Sequence, residues 1–368
     1  MSGVYEGPSP WLHEGYAQGI TEWNVTGTYM GASADKSVVV FREGEERDGG
    51  ELVARDLHTG EEQWRTDAPQ DCFRPIHGIA YCVYNFGDYF SLATIDYANG
   101  KSDELAEVKK DVGLSPEFIG VHKGQSVWAL SFSAPGGEEI RELVAIDNRA
   151  LQWRAPIVHN SICHSADGVI VCESQSGHNA VSLEVFSAVN GKKVSQFDDA
   201  QSVALFRDGL VVRQGASGYK KYSWTGEEMG APPHVPDISA RWPGKEDGVL
   251  LPISTLGHAD VQAASHTGAP LLYGPKETPQ EPHRFVDASS GIGVGGQTAD
   301  SLVVASESGR LYLVEDKAAK AMILYSEEGK EISRIFYFES QPLLYQDGIL
   351  YSQRKGANNF TVYAPKGK

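Results

Sequence analysis

The chain has 368 residues with a formal net charge of −17 at pH 7, and 41% of its residues are hydrophobic. This acidic balance argues against broad electrostatic binding to nucleic acid or to an anionic membrane surface. The chain contains 40 glycines and 18 prolines but only 4 methionines, a composition typical of turns and strands rather than helices. The composition therefore favours an all-β protein with enough apolar material for a core.

The start of the chain does not have the features of a signal peptide, since residues 1–8 contain no basic cluster and no apolar run. We expect residues 1–15 to include a possible N-terminal tail and residues 1–368 to form one domain. No stretch reaches the roughly 18 consecutive apolar residues of a membrane-spanning helix. Membrane association is therefore expected only through an anchor that is absent from this sequence.

The most regular pattern in the chain is a short polar turn followed by an apolar, β-branched strand. In one copy, Asp167-Gly168 suits a tight hairpin, and residues 169–172 suit a strand that is buried on both faces. Eight such turns follow one another at intervals of roughly 40 to 50 residues, the spacing of propeller blades. The turns lie at Asp35, His77, Lys123, Asp167, Asp208, Asp247, Asp300 and Asp347.

A second hairpin pattern lies about 20 residues after these turns. Its clearest copy is residues 52–64, in which apolar and polar residues alternate up to Asp56, Gly60 supplies the turn and Trp64 ends the next strand. Residues 93–101 and 143–154 are further copies. Two hairpins in each repeat predict four antiparallel strands in each blade. We therefore predict an all-β fold, an eight-bladed β-propeller of four-stranded antiparallel blades.

Both ends of the chain contribute to the last repeat. Residues 360–365 form a third strand with none after it, whereas Gly19 and Trp23 reproduce the Gly-to-Trp spacing near the start. We therefore predict that the N-terminal strand closes the last blade, which protects the sheet edges. Residues 103–110 and 317–321 carry helical patterns that are too short to change the fold class.

The pattern Ala54-x-Asp56-x-x-Thr59-Gly60-x-x-x-Trp64 resembles the repeat of quinoprotein-like (PQQ-like) eight-bladed β-propellers. The resemblance implies two kinds of function, because the group includes quinone-dependent dehydrogenases and non-catalytic envelope proteins. The dehydrogenases carry adjacent, disulfide-bonded cysteines and a calcium ion held by Glu, Asn and Asp. This chain has no adjacent cysteines, so the catalytic and cofactor-binding residues of the family are not transferred to it.

The four cysteines form two pairs, each of which straddles a predicted hairpin turn. This placement predicts disulfides between Cys72 and Cys82 and between Cys163 and Cys172, since cross-strand positions bring Cβ atoms close together. The small loops would contribute about 2 to 3 kcal/mol each. Disulfides imply an exported protein, in the cell envelope or secreted. Four reduced core cysteines in a cytosolic protein are the alternative.

An aromatic hairpin end is the candidate contact for a partner. Tyr84, Phe86, Tyr89 and Phe90 crowd one turn, where exposed rings would suit a partner protein or glycan. Packing between blades is the alternative explanation of the same residues.

The acidic pair Asp198 and Asp199 precedes a predicted inner strand and is the candidate for a cation at the channel mouth. The histidines near the cysteines lack the spacing of a zinc site, and no serine lies in a nucleophile elbow. We therefore assign no catalytic, cofactor-binding or metal-ligating residue.

These observations favour a non-catalytic, extracytoplasmic propeller that binds a protein partner as a scaffolding subunit of a cell-envelope assembly. One alternative is a quinoprotein-type dehydrogenase with a degenerate cofactor site. Another is a lyase or hydrolase that works from one propeller face, which requires histidines and carboxylates clustered at the channel mouth.

Overall fold

Among the residues that a computed structural model describes, strands make up nearly all regular structure. A single turn of 3₁₀ helix, Glu14–Gln18, precedes them within the described part of the chain. No helix among the described residues has the length and apolar character to cross a membrane. The structure describes residues 12–44, 50–73, 75–110, 115–133, 136–166, 168–175, 181–206, 209–214, 219–229, 271–273, 283–287, 293–299, 301–306, 310–316, 318–326, 330–338, 343–346, 348–353 and 359–367.

The strands form seven antiparallel sheets within these residues, numbered here along the chain. The first strand, β1 (Ile20–Thr26), belongs to the last sheet. Sheet 1 contains β2 (Thr28–Ala32), β3 (Val38–Glu43), β4 (Glu51–Asp56) and β5 (Glu62–Asp67). Sheet 2 contains β6 (Asp71–Cys72), β7 (Ile79–Asn85), β8 (Tyr89–Asp96) and β9 (Ser102–Lys109). Sheet 3 contains β10 (Glu117–His122), β11 (Gln125–Ser133), β12 (Glu139–Asp147) and β13 (Ala150–Ile157).

The second half of the chain continues the same order. Sheet 4 contains β14 (Ile162–Ala166), β15 (Val169–Gln175), β16 (Val181–Ser187), β17 (Lys193–Phe206), β18 (Gly209–Gln214) and β19 (Tyr219–Ser223). Sheet 5 contains β20 (Leu271–Tyr273), β21 (His283–Asp287) and β22 (Gly293–Ala299). Sheet 6 contains β23 (Ser301–Ala305), β24 (Leu311–Asp316), β25 (Ala321–Ser326) and β26 (Glu331–Phe336). Sheet 7 contains β27 (Leu343–Gln346), β28 (Ile349–Gln353), β29 (Asn359–Pro365) and β1.

Consecutive sheets pack face to face through their apolar side chains. Val40 and Ala54 of sheet 1 share a buried cluster with Ile95 of sheet 2, and similar clusters join sheet 2 to sheet 3 and sheet 3 to sheet 4. Sheet 6 packs against sheet 7, and sheet 7 packs against sheet 1, where Phe41 meets Val362. Sheets 1, 2, 3 and 7 therefore each bury both faces between neighbours, the arrangement found in a β-propeller.

The N-terminal strand closes the last sheet, as predicted. β1 pairs with β29 in one continuous antiparallel register, from Ile20 opposite Pro365 to Thr26 opposite Asn359. Residues 12–15 of the possible tail pack onto the fold: Leu12 is 1% exposed and forms a β-bridge with Ser306. Residues 1–11 lie outside the described residues.

The prediction of uniform four-stranded blades holds for five sheets, namely sheets 1, 2, 3, 6 and 7. Sheet 4 differs because the 14-residue strand β17 pairs with β16 over its first part and with β18 from Ala200 onward. Two predicted blades are thereby joined into one six-stranded sheet. Sheet 5 has three strands among the described residues.

The helix indicated by the pattern at residues 103–110 does not form, because β9 (Ser102–Lys109) occupies this segment and pairs with β8. β9 is the outer strand of sheet 2, and most of its side chains are exposed or half-buried. Charged residues common in helices are therefore tolerated in this strand. At 317–321, residues 318–320 form a turn and Ala321 begins β25.

Candidate functional site

Each four-stranded sheet has one end with the connections to the neighbouring sheets and an opposite end with hairpin turns only. In an antiparallel sheet of four strands, the hairpin between the second and third strands and the exit to the next sheet lie at the same end. Ser115 Oγ, at the entry to sheet 3, donates a hydrogen bond of 3.1 Å to Asp71 at the entry to sheet 2, and the Lys110 amide donates to the Asp88 carbonyl. We call this end the connection face and the opposite end the turn face.

The predicted aromatic hairpin lies on the connection face. Its turn joins β7 to β8 through a 3.0 Å hydrogen bond from the Phe86 amide to the Tyr89 carbonyl, and Gly87 adopts a positive φ of 83°. Phe86 is 57% exposed. Its ring stacks between the rings of Tyr84 and Tyr89, with centroids 6.2 and 5.3 Å away. The hairpin thus presents an exposed aromatic ring that is stacked against two others.

The four predicted contact residues do not share one environment. Phe90 is only 3% exposed and packs in the core between sheets 2 and 3, so the structure excludes it as a contact residue. Tyr84 and Tyr89 are half-buried. Burial raises the pKa of the Tyr84 hydroxyl, a hydrogen bond with Ser102 lowers it and the charge of Asp67 raises it further. Phe86 is the most exposed member of the group.

Three further apolar side chains lie exposed on the connection face of the neighbouring sheets. Ile140 follows the first residue of β12, Val158 follows β13, and Ile162 begins β14, and these side chains are 37%, 50% and 53% exposed. Phe336 and Phe338, which are 62% and 69% exposed, lie at the exit of sheet 6 toward sheet 7. Exposed apolar groups on adjacent sheets are typical of protein interaction surfaces.

The sequence analysis missed these three residues of sheets 3 and 4. Each is a single apolar residue at the start or end of a strand. At such a position the alternation of apolar and polar residues does not determine which face of the sheet the side chain occupies. A signal did exist in the segment from Ile157 to Ile162, which places three apolar residues around a polar connection.

Arg141 holds the connection between sheets 3 and 4 in place. Its guanidinium donates hydrogen bonds to the carbonyl oxygens of Ser161 (3.0 Å) and His159 (3.4 Å) and forms an ion pair with Glu117. Charge-assisted bonds from one guanidinium to a carboxylate and two carbonyls restrain a loop more strongly than neutral ones. Hydrogen bonds from Arg141 therefore hold the backbone between Val158 and Ile162 in place.

The turn face is more polar, because polar side chains form hydrogen bonds with the backbone of its turns. Asp56 Oδ1 accepts hydrogen bonds from the amides of His58 (2.9 Å) and Thr59 (2.8 Å). Two exposed apolar residues, Leu151 and Val189, lie beside such turns and are 58% and 48% exposed. These two residues provide matched controls for the connection face.

The acidic pair is embedded in β17. Asp198 is exposed, and its Oδ1 atom accepts hydrogen bonds from Ser182 Oγ (2.9 Å) and Gln196 Nε2 (3.0 Å). The bonds from Gln196 and Ser182 lower the pKa of Asp198. The described residues contain no group of three or more His, Cys, Asp or Glu side chains placed to hold a metal ion. A cation held by Asp198 and Asp199 stays a prediction.

Both predicted disulfides are confirmed. Cys72 bonds to Cys82 and Cys163 bonds to Cys172, and within each pair the two residues lie directly opposite each other on adjacent antiparallel strands. Each bond joins the first strand of its sheet to the second. The described residues contain no free cysteine.

No protein-family model and no curated protein matches the chain. Among solved structures, the computationally designed Ika8 protein is 12% identical with a TM-score of 0.48, and the match covers 92% of this chain and 97% of that one. BamB from Moraxella catarrhalis is 13% identical with a TM-score of 0.37, over 92% and 85% of the two chains. The Dos1 propeller is 11% identical with a TM-score of 0.45, over 97% and 98%. The propeller arrangement is therefore inferred from the sheet pairing and packing described above, not from these similarities.

Proposed function

We propose that this protein is a non-catalytic, extracytoplasmic β-propeller that binds a protein partner through its connection face, as a scaffolding subunit of a cell-envelope assembly. The observation that carries the proposal is the group of Phe86, Ile140, Val158 and Ile162, four exposed apolar side chains on one face of sheets 2, 3 and 4. Burial of such side chains is the main favourable term in protein association, at about 25 cal/mol per Å² of apolar surface. Polar and charged neighbours such as Asp88 and Arg141 supply the rim.

Two further observations support the remaining parts of the proposal. The two disulfides suit an oxidising compartment, since reducing conditions in the cytosol work against such bonds. The seven sheets correspond to eight PQQ-like blades if sheet 4 is divided at β17, so that β18 and β19 belong to a fifth blade. Rigid sheets that present loops at one end are well suited to scaffolding.

Photo-crosslinking tests the proposed face directly. The full-length protein is produced in its native cells with Phe86→p-benzoylphenylalanine and, as a matched control, with Leu151→p-benzoylphenylalanine on the turn face. Both positions are similarly exposed, at 57% and 58%. Irradiation is expected to give a discrete adduct with one envelope protein from position 86 and none from position 151.

Two outcomes contradict the proposal. Adducts of equal yield from both positions, or from neither, show that the connection face is not a binding surface. Alcohol or sugar oxidation by the purified protein after addition of pyrroloquinoline quinone and calcium supports the dehydrogenase instead.

A further inference from the structure

A cleft of about 560 Å³ lies at the seam between sheet 7 and sheet 1, away from the connection-face residues discussed above. It has a volume typical of small-molecule sites. On the sheet 7 side it is lined by both end strands of the chain, β1 and β29, and on the sheet 1 side by Glu43 and Arg55.

Two close approaches of the chain bound the cleft. Toward the turn face, the Trp23 ring lies against Gly60, where an added Cβ would be 2.8 Å from Trp23 Cδ2. Toward the connection face, a Cβ on Gly27 would lie 2.6 Å from the carbonyl oxygen of Arg42. At the turn-face end of the cleft the Trp23 ring joins the two sheets, and at the other end the chain itself passes through Gly27 from sheet 7 to sheet 1.

The base of the cleft is apolar and its sides are polar. Val25 and Phe360, which are 7% and 4% exposed, line it together with the exposed side chains of β1 and β29. Across the strand pair, Thr361 Oγ1 donates to Asn24 Oδ1 (2.8 Å), and Thr26 Oγ1 donates to Asn359 Oδ1 (3.0 Å). The side-chain NH₂ groups of Asn24 and Asn359 form no hydrogen bond within the described residues and are available as donors.

The sheet 1 side adds an acceptor without adding net charge. Arg55 Nε and Nη2 both donate to Glu43 Oε1, at 3.1 and 2.7 Å, and Arg55 Nη1 donates to the Gly60 carbonyl at 3.2 Å. The other carboxylate oxygen of Glu43 accepts no hydrogen bond from the described part of the chain. The guanidinium and carboxylate charges compensate each other, which disfavours a strongly ionic ligand.

Trp23, Trp64 and Trp153 each pack on a turn glycine of the next sheet, and the residue that follows each tryptophan explains why the cleft is open at this seam. In sheets 1 and 3 that residue is Arg65 or Arg154, and each arginine forms an ion pair with a glutamate of the adjacent strand. In sheet 7 the residue is Asn24, which lies opposite Thr361. The shorter side chain leaves space that a long arginine takes up elsewhere.

We propose that this cleft binds a neutral saccharide unit. A sugar ring combines apolar C–H groups, which suit the Val25 and Phe360 base, with hydroxyl groups that both donate and accept hydrogen bonds. The asparagine amides supply donors, and Glu43 supplies an acceptor. This site lies at a different seam from Phe86, Ile140, Val158 and Ile162 and does not depend on the function proposed above.

The test titrates the purified full-length protein with a panel of neutral saccharides, namely glucose, galactose, mannose, N-acetylglucosamine and their disaccharides, by saturation-transfer NMR and calorimetry. The variant Asn24→Arg restores the arginine of the other sheets and fills the cleft. Its control is Thr21→Arg, an exposed position on the same strand that does not line the cleft. Circular dichroism verifies that both variants are folded.

At least one saccharide is expected to bind saturably to the wild type and to Thr21→Arg, and about tenfold or more weakly to Asn24→Arg, as expected for losing one or two polar contacts. If Asn24→Arg does not fold, Asn359→Ala replaces it with the same expectation. Absence of binding by the whole panel overturns the proposal, as does unchanged affinity in the cleft variant. Neither result bears on crosslinking at position 86.

Discussion

The indole ring of Trp64, on the outer strand of sheet 1, lies against the backbone of Gly100 in sheet 2. Trp64 Nε1 also donates a hydrogen bond of 3.1 Å to the Tyr97 carbonyl of the same turn. The same contact joins Trp23 to Gly60, and Trp23 Nε1 donates to the Leu57 carbonyl at 2.8 Å. In the motif of residues 60–64, Gly60 therefore receives the tryptophan of the preceding sheet, and Trp64 docks onto the glycine of the next sheet.

Both partners of this docking contact are absent at the seam between sheets 2 and 3. The tryptophan position on β9 is Glu104, which lies opposite Ala93 just as Trp64 lies opposite Ala54. The facing turn contains Arg149 in place of glycine, and Arg149 Nε donates to the Glu104 carbonyl at 3.1 Å. An aromatic cluster nearer the centre of these sheets, including stacked rings of Tyr81 and Phe118, holds the seam together.

Adding a methyl group at the docking turn should destabilise the protein. Gly100 has a φ of 73°, and a Cβ there would lie 2.8 Å from Trp64 Cδ2. We expect Gly100→Ala to lower the free energy of unfolding by about 2 to 4 kcal/mol, through backbone strain and overpacking. The control Gly124→Ala has a similar φ of 84° but open space around it, and should cost about 1 kcal/mol. Equal losses in urea denaturation would contradict the docking role.

Removing a disulfide should weaken the fold without abolishing it. The bond between Cys163 and Cys172 closes a loop with a sequence separation of 9. The chain-entropy model assigns about 2 to 3 kcal/mol to a loop of this size. We expect the double variant Cys163→Ala, Cys172→Ala to lose that amount in urea denaturation under oxidising conditions. Under full reduction the wild type should also lose stability, and an unchanged midpoint would contradict this prediction.

The buried hydroxyl of Tyr16 should stabilise the packing of the N-terminal segment on sheet 7. Tyr16 Oη donates to the Tyr363 carbonyl (2.5 Å) and accepts from the Leu350 amide (2.9 Å). Burial raises the pKa of this hydroxyl above its usual range. Because Tyr16→Phe leaves two buried backbone groups unpaired, we expect a loss of about 1 to 3 kcal/mol in chemical denaturation.

Tyr89→Phe is the control for this substitution. The Tyr89 hydroxyl makes no hydrogen bond within the described residues, so its removal should change stability by less than about 0.5 kcal/mol. A loss of that small size in Tyr16→Phe as well would exclude the proposed stabilisation of the N-terminal segment on sheet 7.

Stability should fall as the solution becomes acidic. His13 caps the 3₁₀ helix by accepting a 3.0 Å hydrogen bond from the Gly15 amide at Nδ1, which a protonated ring cannot accept. Burial, followed by the charges of Lys36 and His58, lowers the pKa of His13 from its ordinary 6.5. The unfolded chain then binds the proton more readily, so the contribution is present above 6.5 and is lost as the pH falls below it.

The variant His13→Asn tests this assignment, because asparagine caps a helix at any of these pH values. We expect the loss of stability between about pH 7.5 and about pH 5.5 to be smaller in the variant than in the wild type. Burial also lowers the pKa of His164, so part of the pH dependence should persist. An identical pH profile in the two proteins would exclude the role of His13.

The aromatic hairpin illustrates how far the candidate site could be predicted. The composition of residues 84–90 pointed to an exposed ring, and Phe86 is such a ring. Phe90, four residues later, packs in the core against sheet 3, and Ile140 on the next sheet is exposed. Aromatic content alone does not distinguish these environments, because exposure depends on the neighbouring sheet.

The sequence by itself determined the all-β class, the hairpin repeat, the closing strand and both disulfides. Turn glycines, strand alternation and cysteines 9 or 10 residues apart act over short distances, so their consequences are visible in the order of residues. Only the tertiary structure decided which apolar side chains stay exposed, that β17 joins two predicted blades, and that a cleft opens beside Asn24. These features depend on contacts between sheets whose residues, such as Arg55 and Asn359, are far apart in the chain.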